Sequence, residues 1–462
     1  VKIFKHHFPT QLLLLAAVDV VTAAASYYIA NAALPERVFD LVASSGWQLH
    51  VQAMLFTLVI VGGQAAMGLY SSQQRFQIEG VLARMIVGIG VAAVGLGVVG
   101  FAFEVLGSRG EWLFAFGTCT LLLGLARIAA RKVLDDEIFR RRVLVYGAGQ
   151  RAAAILSLRR KSDQRGFRIV AFVPAESDTI TIEDERVLRN LKTSLRDFAW
   201  QQRVTEIVVA VDDRRNHFRL DELLESKLSG INIIDILAFL ERETGRVNVK
   251  LLNPSWLIFS DGFNPVRRTQ VGFRLMDVLG AFVAFLLALP LMVAVGLAIA
   301  IDDRWPVLYR QRRVGFKGAE FTLYKFRSMR NDAEGEGKAV WAEREDSRVT
   351  RVGKWLRKTH LDELPQLLNV LRGDMSFVGP RPERPEFVAE LARKIPYYHE
   401  RHYVKPGITG WAQLRYPYGA SEKDALAKLE YDLYYVKNRN LIFNLIVLLQ
   451  TVEVVLWQKG SR

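Results

Sequence analysis

Four apolar runs occupy the first 130 residues, approximately Leu12 to Leu34, Val51 to Tyr70, Met85 to Leu106 and Trp112 to Ala130. Each approaches the roughly 20 residues that carry a helix through a bilayer core. Hydrocarbon offers no partner for backbone N–H and C=O groups, so runs of this length fold as helices that satisfy themselves. They predict a four-helix transmembrane domain over residues 1–135. The basic stretch Val1 to Thr10 ahead of the first run imitates a signal peptide, but three further runs follow without a cleavage site, and it reads as the first anchor.

Charge orients these runs. Lys2 and Lys5 precede the first, Arg75 and Arg84 fall between the second and third, and Arg127, Arg131, Lys132, Arg140, Arg141 and Arg142 follow the fourth. The other loops carry only Arg37 and Arg109, so the positive-inside rule puts both ends of the domain in the cytoplasm. A net charge of +14 and a pI near 9.8 admit nucleic acid, an anionic membrane surface or a phosphorylated substrate as partner. With 50% hydrophobic residues, no zinc-finger spacing and no aromatic RNP run, the chain favours membrane and phosphate over nucleic acid. Its single cysteine, Cys119, lies in an apolar run, which excludes an intramolecular disulfide and a cysteine metal site.

A strand, a glycine turn and a helix start follow in Val143-Leu144-Val145-Tyr146 and Gly147-Ala148-Gly149-Gln150. Strand-like runs at Phe167 to Val173, Glu206 to Val211 and Ile231 to Ile236 alternate with helical ones such as Leu220 to Lys227. This alternation predicts a Rossmann-like parallel α/β domain over 141–250. Gly147 and Gly149 mark a turn that can hold a pyrophosphate or serve a module kept for assembly or regulation.

Segment 251–271, with Pro254, Gly262 and Pro265, reads as a linker to a last domain, 272–462. That domain opens with an almost unbroken apolar run, about 275–301, carrying Pro290 in its middle. Length alone suits a crossing. Crossing would put Arg304, Arg310, Arg312, Arg313 and Lys317 outside, against the charge rule. Proline deletes a helix hydrogen bond and can kink the helix, so Pro290 is the predicted break of a re-entrant segment that enters one leaflet and returns. The apolar segment 441–457, interrupted by Asn444, Gln450, Thr451 and Glu453, reads as an interfacial helix.

The chemistry concentrates at Arg357-Lys358-Thr359-His360-Leu361-Asp362-Glu363-Leu364-Pro365-Gln366. Two adjacent carboxylates beside cations can hold a divalent metal and a phosphorylated substrate while one carboxylate attacks phosphorus. Alone, such a pair is usually solvated surface. Its neighbours are Pro306-Val307-Leu308-Tyr309, Gln311-Arg312-Arg313-Val314-Gly315, Tyr324-Lys325-Phe326-Arg327-Ser328-Met329, Leu371-Arg372-Gly373-Asp374-Met375-Ser376, Gly379-Pro380-Arg381-Pro382 and Lys405-Pro406-Gly407-Ile408-Thr409-Gly410-Trp411. In this order and spacing they resemble the bacterial sugar transferases, the polyprenyl-phosphate phosphoglycosyl transferases, over about 270–457. The hydrophobic amino-terminal half with its α/β segment is similar to that of the large members, which initiate exopolysaccharide, capsule or O-antigen repeat units.

The resemblance implies a re-entrant-helix monotopic catalytic domain on the cytoplasmic face of the bacterial inner membrane. It also implies transfer of a sugar-1-phosphate from a UDP-sugar to polyprenyl phosphate, undecaprenyl phosphate in particular, with release of UMP. In it Asp362 is the nucleophile and forms a covalent phosphosugar. Glu363 holds Mg2+, with Mn2+ as the alternative, and Lys325, Arg327, Arg381 and Arg313 fall where phosphate or nucleotide is contacted. Glucose or galactose is the sugar expected by analogy, and the α/β module admits a homodimer. The chain departs from the family pattern at His360, usually a small hydroxyl residue, at Phe273-Arg274 and at Asn444, where Asp is common.

Two other classes are open to a chain of this organisation. Nucleotide-sugar dehydratases and epimerases also join membrane helices to a Rossmann-like unit, but they use NAD and commonly Tyr-x-x-x-Lys, which is absent from this chain. A noncatalytic scaffold would have no use for the intact Asp362-Glu363 pair. His399 and His402, among Tyr397, Tyr398, Arg401 and Tyr403, read as packing residues rather than metal ligands, and Trp341, Trp355 and Trp411 as core rather than base-stacking platforms. The polar stretch around Gly335 to Lys338 is the expected mobile loop near the site.

Overall fold

The computed structural model describes residues 2–3, 6–7, 10–33, 46–70, 78–103, 109–133, 140–158, 166–176, 178–189, 191, 193–213, 219–260, 262–263, 267–330, 348–417, 419 and 421–456. The Gly335 to Lys338 stretch, Trp341, Arg37 and Arg75 lie outside them. Two compact units divide the chain between Leu251 and Leu252.

The first unit begins with four apolar helices, α1 (Thr10–Ala33), α2 (Gly46–Ala66), α3 (Ile78–Phe103) and α4 (Arg109–Val133). Each contains a stretch long and apolar enough to cross a membrane, as does one helix of the second unit, making five among the described residues. Outward residues such as Val21, Leu58, Val94 and Leu113 are exposed and apolar, as lipid-facing surfaces require. Inside, the rings of Tyr27, Phe56 and Trp112 meet at 5.3 to 5.9 Å, and Cys119 is fully buried. Helix α2 stops at Ala66, short of the run read to Tyr70, because Gly68 adopts a left-handed conformation (φ 68°) and turns the chain. Tyr70 then donates its hydroxyl to Asp19 at 2.6 Å, and Arg127 of α4 pairs with the same carboxylate at 2.5 Å. Both charged side chains are buried.

Residues 140–251 form an α/β region. Strands β1 (Arg141–Tyr146), β2 (Phe167–Val173), β3 (Glu206–Val209) and β4 (Asn232–Asp235) make one parallel sheet in the order β2-β1-β3-β4. Successive strand residues face opposite sides. Val143 and Val145 pack with α5 (Gln150–Leu156) and α8 (Ile236–Thr244), whereas Leu144 and Tyr146 pack with α6 (Leu195–Gln201) and α7 (Leu220–Leu228). Strand β4 ends before Ile236 because Asp235 caps α8, accepting from the Leu237 N–H at 2.8 Å.

In the second unit, the stretch read as linker contains a short helix, α9 (Pro254–Phe259), started by a proline in the first turn. Helix α10 (Arg267–Asp303) begins eight residues before the apolar run and continues through Pro290. Apolar length could not locate its start, since its first turns carry polar side chains with partners of their own. Arg274 donates to the Val370 and Leu371 carbonyls, each at 2.6 Å, and Asp277 accepts from the Ser376 hydroxyl and the Phe377 N–H.

The remaining elements of this unit are β5 (Leu308–Val314), β6 (Glu320–Phe326), α11 (Arg351–Thr359), α12 (Gln366–Arg372), β7 (Ser376–Val378), α13 (Pro385–Lys394), β8 (Gly407–Thr409), α14 (Trp411–Arg415), α15 (Glu422–Asn438) and α16 (Leu441–Leu456). Several of them pack along α10 at two places. Ala281 joins a core with Leu323, Leu367, Val370 and Met375, and Val295 and Ile299 join another with Phe326 and Leu356. Between these anchors Phe282, Val283, Leu286, Leu287 and Val293 are exposed. Trp411 is buried against Tyr434 and Phe443, with ring centroids at 6.1 and 5.0 Å, so it serves the core.

Candidate active site

The carboxylate pair owes its position to a break between helices. Helix α11 ends where His360 enters the left-handed region (φ 57°), and its N–H closes the last turn onto Arg357 and Leu356. A single 3-10 turn, Leu361–Glu363, follows. Leu361 and Leu364, three residues apart, both pack into the core around Leu356 and Phe326. Asp362 and Glu363 therefore sit between two apolar anchors, with Asp362 only 8% exposed.

Strand β6 brings Lys325 to this turn, and the loop after β7 brings Arg381. Lys325 Nζ donates to Glu363 Oε1 at 2.7 Å, and Arg381 Nη2 donates to the same oxygen at 3.0 Å. Burial alone would raise the Glu363 carboxyl, but Lys325 and Arg381 outweigh it and hold the group well below the ordinary carboxylate range. Asp362 responds in the opposite direction. Burial pushes it up most, Lys325 opposes, and the neighbouring Glu363 carboxylate adds to the rise. Unlike Glu363, Asp362 has no cation in salt-bridge contact among the described residues. One acid is thus fixed as an anion while its neighbour keeps a raised affinity for a proton.

Sequence had grouped Arg327 and Arg313 with Lys325 and Arg381. Both are engaged with main chain elsewhere. Arg327, buried, donates to the carbonyls of Asp303 and Arg304 and so ties down the end of α10. Arg313 donates to the Pro382 carbonyl at 2.9 Å and lies 3.8 Å from the Glu383 carboxylate. His402 is a buried, neutral imidazole, since burial first and then Arg401 and His399 push it down to about 3. Among the described residues no three His, Cys, Asp or Glu side chains form a metal-holding group.

The glycine turn of the α/β region has another environment. Asp212 accepts from the Gln150 and Arg151 N–H groups at 2.9 and 2.8 Å, and Asp178 accepts from those of Ala148 and Ala175. A Cβ at Gly149 would run into the Asp212 carboxylate. The amides that a pyrophosphate would approach thus already have carboxylate partners.

The motifs around the dyad have counterparts in known proteins. The Bacterial sugar transferase family matches residues 268–458. A Klebsiella pneumoniae protein, UDP-glucose:undecaprenyl-phosphate glucose-1-phosphate transferase, is 32% identical over 322 residues, covering 68% of this chain and 67% of that one. The chain belongs to the bacterial sugar transferase family. Among its relatives, the Aeromonas hydrophila UDP-N-acetylgalactosamine-undecaprenyl-phosphate N-acetylgalactosaminephosphotransferase is 41% identical over 240 residues, 52% of this chain. The chain spans about half of that relative's length, 56%. The undecaprenyl-phosphate galactose phosphotransferase of Salmonella typhimurium is 28% identical over 376 residues, 77% of this chain and 76% of the relative. The family match, 268–458, takes in nearly all of α10 and every later element through α16, the dyad included.

Proposed function

We propose that this sugar transferase moves a sugar-1-phosphate from a UDP-sugar to a polyprenyl phosphate, undecaprenyl phosphate being the acceptor named for its relatives. The observation that carries the reading is the unequal carboxylate pair: Glu363 held by Lys325 and Arg381, and Asp362 buried beside it with no salt-bridging cation among the described residues. An Asp362 oxygen attacks the sugar-bearing phosphorus, and the bond from that phosphorus to the bridging oxygen breaks, releasing UMP. The product is an acyl phosphate, a mixed anhydride joining the Asp362 carboxyl to the phosphosugar. A phosphate oxygen of the lipid then attacks the same phosphorus, the bond to Asp362 breaks, and the carboxylate is restored beneath a lipid diphosphosugar. Lys325 and Arg381 offset the charge of the diphosphate as the anionic nucleophile approaches.

Mg2+, or Mn2+ in its place, suits Glu363. Both cation contacts fall on its Oε1, and Mg2+ commonly takes one or two carboxylates while keeping waters and phosphate oxygens. Bound there, it would supply Lewis-acid neutralisation of the diphosphate. Arg327 and Arg313 serve as supports, one for the end of α10 and one for the Arg381 loop.

In this reading the four amino-terminal helices span the bacterial inner membrane, and the catalytic unit lies on its cytoplasmic face. Helix α10 dips into one leaflet and bends at Pro290. A straight crossing would carry Arg274 and Asp303 about 44 Å apart at 1.5 Å per residue. Yet one catalytic unit binds both, α12 through the Val370 and Leu371 carbonyls at one end and Arg327, just after β6, at the other. The exposed apolar residues between them suit lipid. A homodimer through a Rossmann-like α/β region would use the exposed Leu220, Leu224 and Leu228 of α7.

The test is UMP release across UDP-glucose, UDP-galactose and their N-acetylated counterparts, with and without undecaprenyl phosphate. One UMP per enzyme is expected without lipid and continuous turnover with it. Release that requires lipid even in the first turnover would sink the covalent route, and no release from any UDP-sugar would sink the function.

A further inference from the structure

We propose that the buried Arg401–Asp432 pair is a positioning unit that sets the Arg381 guanidinium opposite Glu363. The inference rests on the reading of Arg381 and Glu363 as part of the donor site. Arg381 stands on a loop whose carbonyls are held one after another. The Tyr435 hydroxyl donates to the Val378 carbonyl at 2.9 Å, Arg401 Nη2 to Arg381 at 3.0 Å, Arg313 Nη1 to Pro382 at 2.9 Å and the Val314 N–H to Glu383 at 3.0 Å. Among these, the hold on Arg381 itself comes from a side chain paired with a buried carboxylate.

Arg401 is 5% exposed and Asp432, on α15, is 2% exposed. Their ion pair measures 2.9 Å, and Arg401 Nη1 donates to the Tyr398 hydroxyl at 2.8 Å. A guanidinium is a planar fork, so fixing it through Asp432 and Tyr398 also fixes the direction from which it meets the Arg381 carbonyl. Removing two ions from water is costly, and a well-packed apolar pair often serves stability equally well. What the ionic pair adds is geometry. A chain of contacts runs from Asp432 through Arg401 and the Arg381 backbone to Glu363 Oε1, linking α15 to the dyad although neither Asp432 nor Arg401 is expected to touch substrate.

The experiment uses the full chain in lipid nanodiscs and two readouts. In the first, kcat/KM for a UDP-sugar is measured in Asp432→Asn, Arg381→Ala and the double variant. Asp432→Asn should lower kcat/KM by about 10- to 100-fold, as loss of an orienting partner commonly does, and by less than about twofold when Arg381 is already alanine. Equal factors in both backgrounds would overturn the positioning role. In the second readout, amide hydrogen exchange in segment 379–384 should quicken by about tenfold in Asp432→Asn. Tyr398→Phe keeps the ion pair and should show the same change to a smaller degree, even if Asp432→Asn does not fold. Unchanged exchange in both variants would overturn the proposal. A wild-type chain without UDP-sugar turnover would sink the function instead, and exchange would still decide whether the pair holds the loop.

Discussion

Two regions of this molecule set carboxylates against groups suited to phosphate, and they do so in opposite senses. In the α/β region Asp178 and Asp212 occupy backbone N–H groups of the Gly147–Arg151 turn. At the dyad, Glu363 takes two side-chain cations, one of which, Arg381, is 40% exposed, while among the described residues Asp362 has none in salt-bridge contact. Backbone amides are fixed in number and place, so a carboxylate that satisfies them competes directly with a phosphate. Long cationic side chains keep further donors and can turn toward a ligand while retaining Glu363. A phosphate-friendly motif is therefore worth only as much as its unspent donors.

The sharpest way to break this contrast is Asp362→Asn. The variant should fold and bind UDP-sugar yet lose turnover by about 10³-fold or more, because an amide is a far poorer nucleophile. Near-normal turnover, after mass spectrometry has excluded deamidation, would favour direct attack by the lipid phosphate. Next in size, Glu363→Gln should reduce kcat by about 10²- to 10³-fold and raise the Mg2+ concentration needed for half-maximal rate. A variant with unchanged metal dependence would remove Glu363 from that role.

Acid sharpens the comparison further. On the proposed route Asp362 attacks as the free carboxylate, and burial raises its pKa, so kcat should fall as pH drops through a value above the usual carboxylate range. Lys325 opposes that rise, so Lys325→Met should move the acid limb to higher pH. Stability runs the other way for Glu363. Its folded-state pKa is depressed, so its contribution is present above the unfolded value of about 4.3 and is lost as pH falls toward the lower folded value. Denaturant titrations of wild type and Glu363→Gln, run from about one unit below to about one unit above that value, should converge toward the acid end.

The smallest effect on chemistry is expected from the glycine turn. Asp212→Asn and Gly149→Val should destabilise the chain by about 1–3 kcal/mol, through lost charge-assisted hydrogen bonds in one and a clash with Asp212 in the other. Transferase rate per folded molecule should stay within about twofold of wild type. Loss of activity in a folded Gly149→Val variant would mean the turn serves the reaction.

How much of this was legible beforehand follows from the range of each interaction. The apolar helices and the strand–helix alternation announce themselves within windows of 10 to 20 residues, where periodicity and length operate. Glu363 with Lys325 and Arg381 was legible because the motif neighbourhood names them. Nothing in the spacing told that Arg327 turns to the end of α10 or Arg313 to Pro382, since Arg313 on β5 and Arg327 just after β6 both stand among other cations. Asp212 lies 62 residues from Gln150, and Asp432 lies 31 from Arg401, so neither pairing leaves a local signature. The start of α10 escaped notice for a related reason. Arg274, just ahead of the apolar run, is satisfied by the Val370 and Leu371 carbonyls, 96 and 97 residues downstream.

The contact between Asp19 and Arg127 in the amino-terminal helices has a bearing on how the chain is made. Its two members are 108 residues apart, in the first helix and the fourth. At about 5–20 residues per second of synthesis, α1 would wait roughly 5 to 20 s for its counter-ion. A lone carboxylate at a membrane-helix centre costs about 2.5–3.5 kcal/mol on insertion scales. Helix α1 would be released into lipid only marginally until α4 emerges, and an early truncation should leave it near the insertion machinery. If these helices span a bilayer, the order in which the ribosome delivers them would be part of what assembles them.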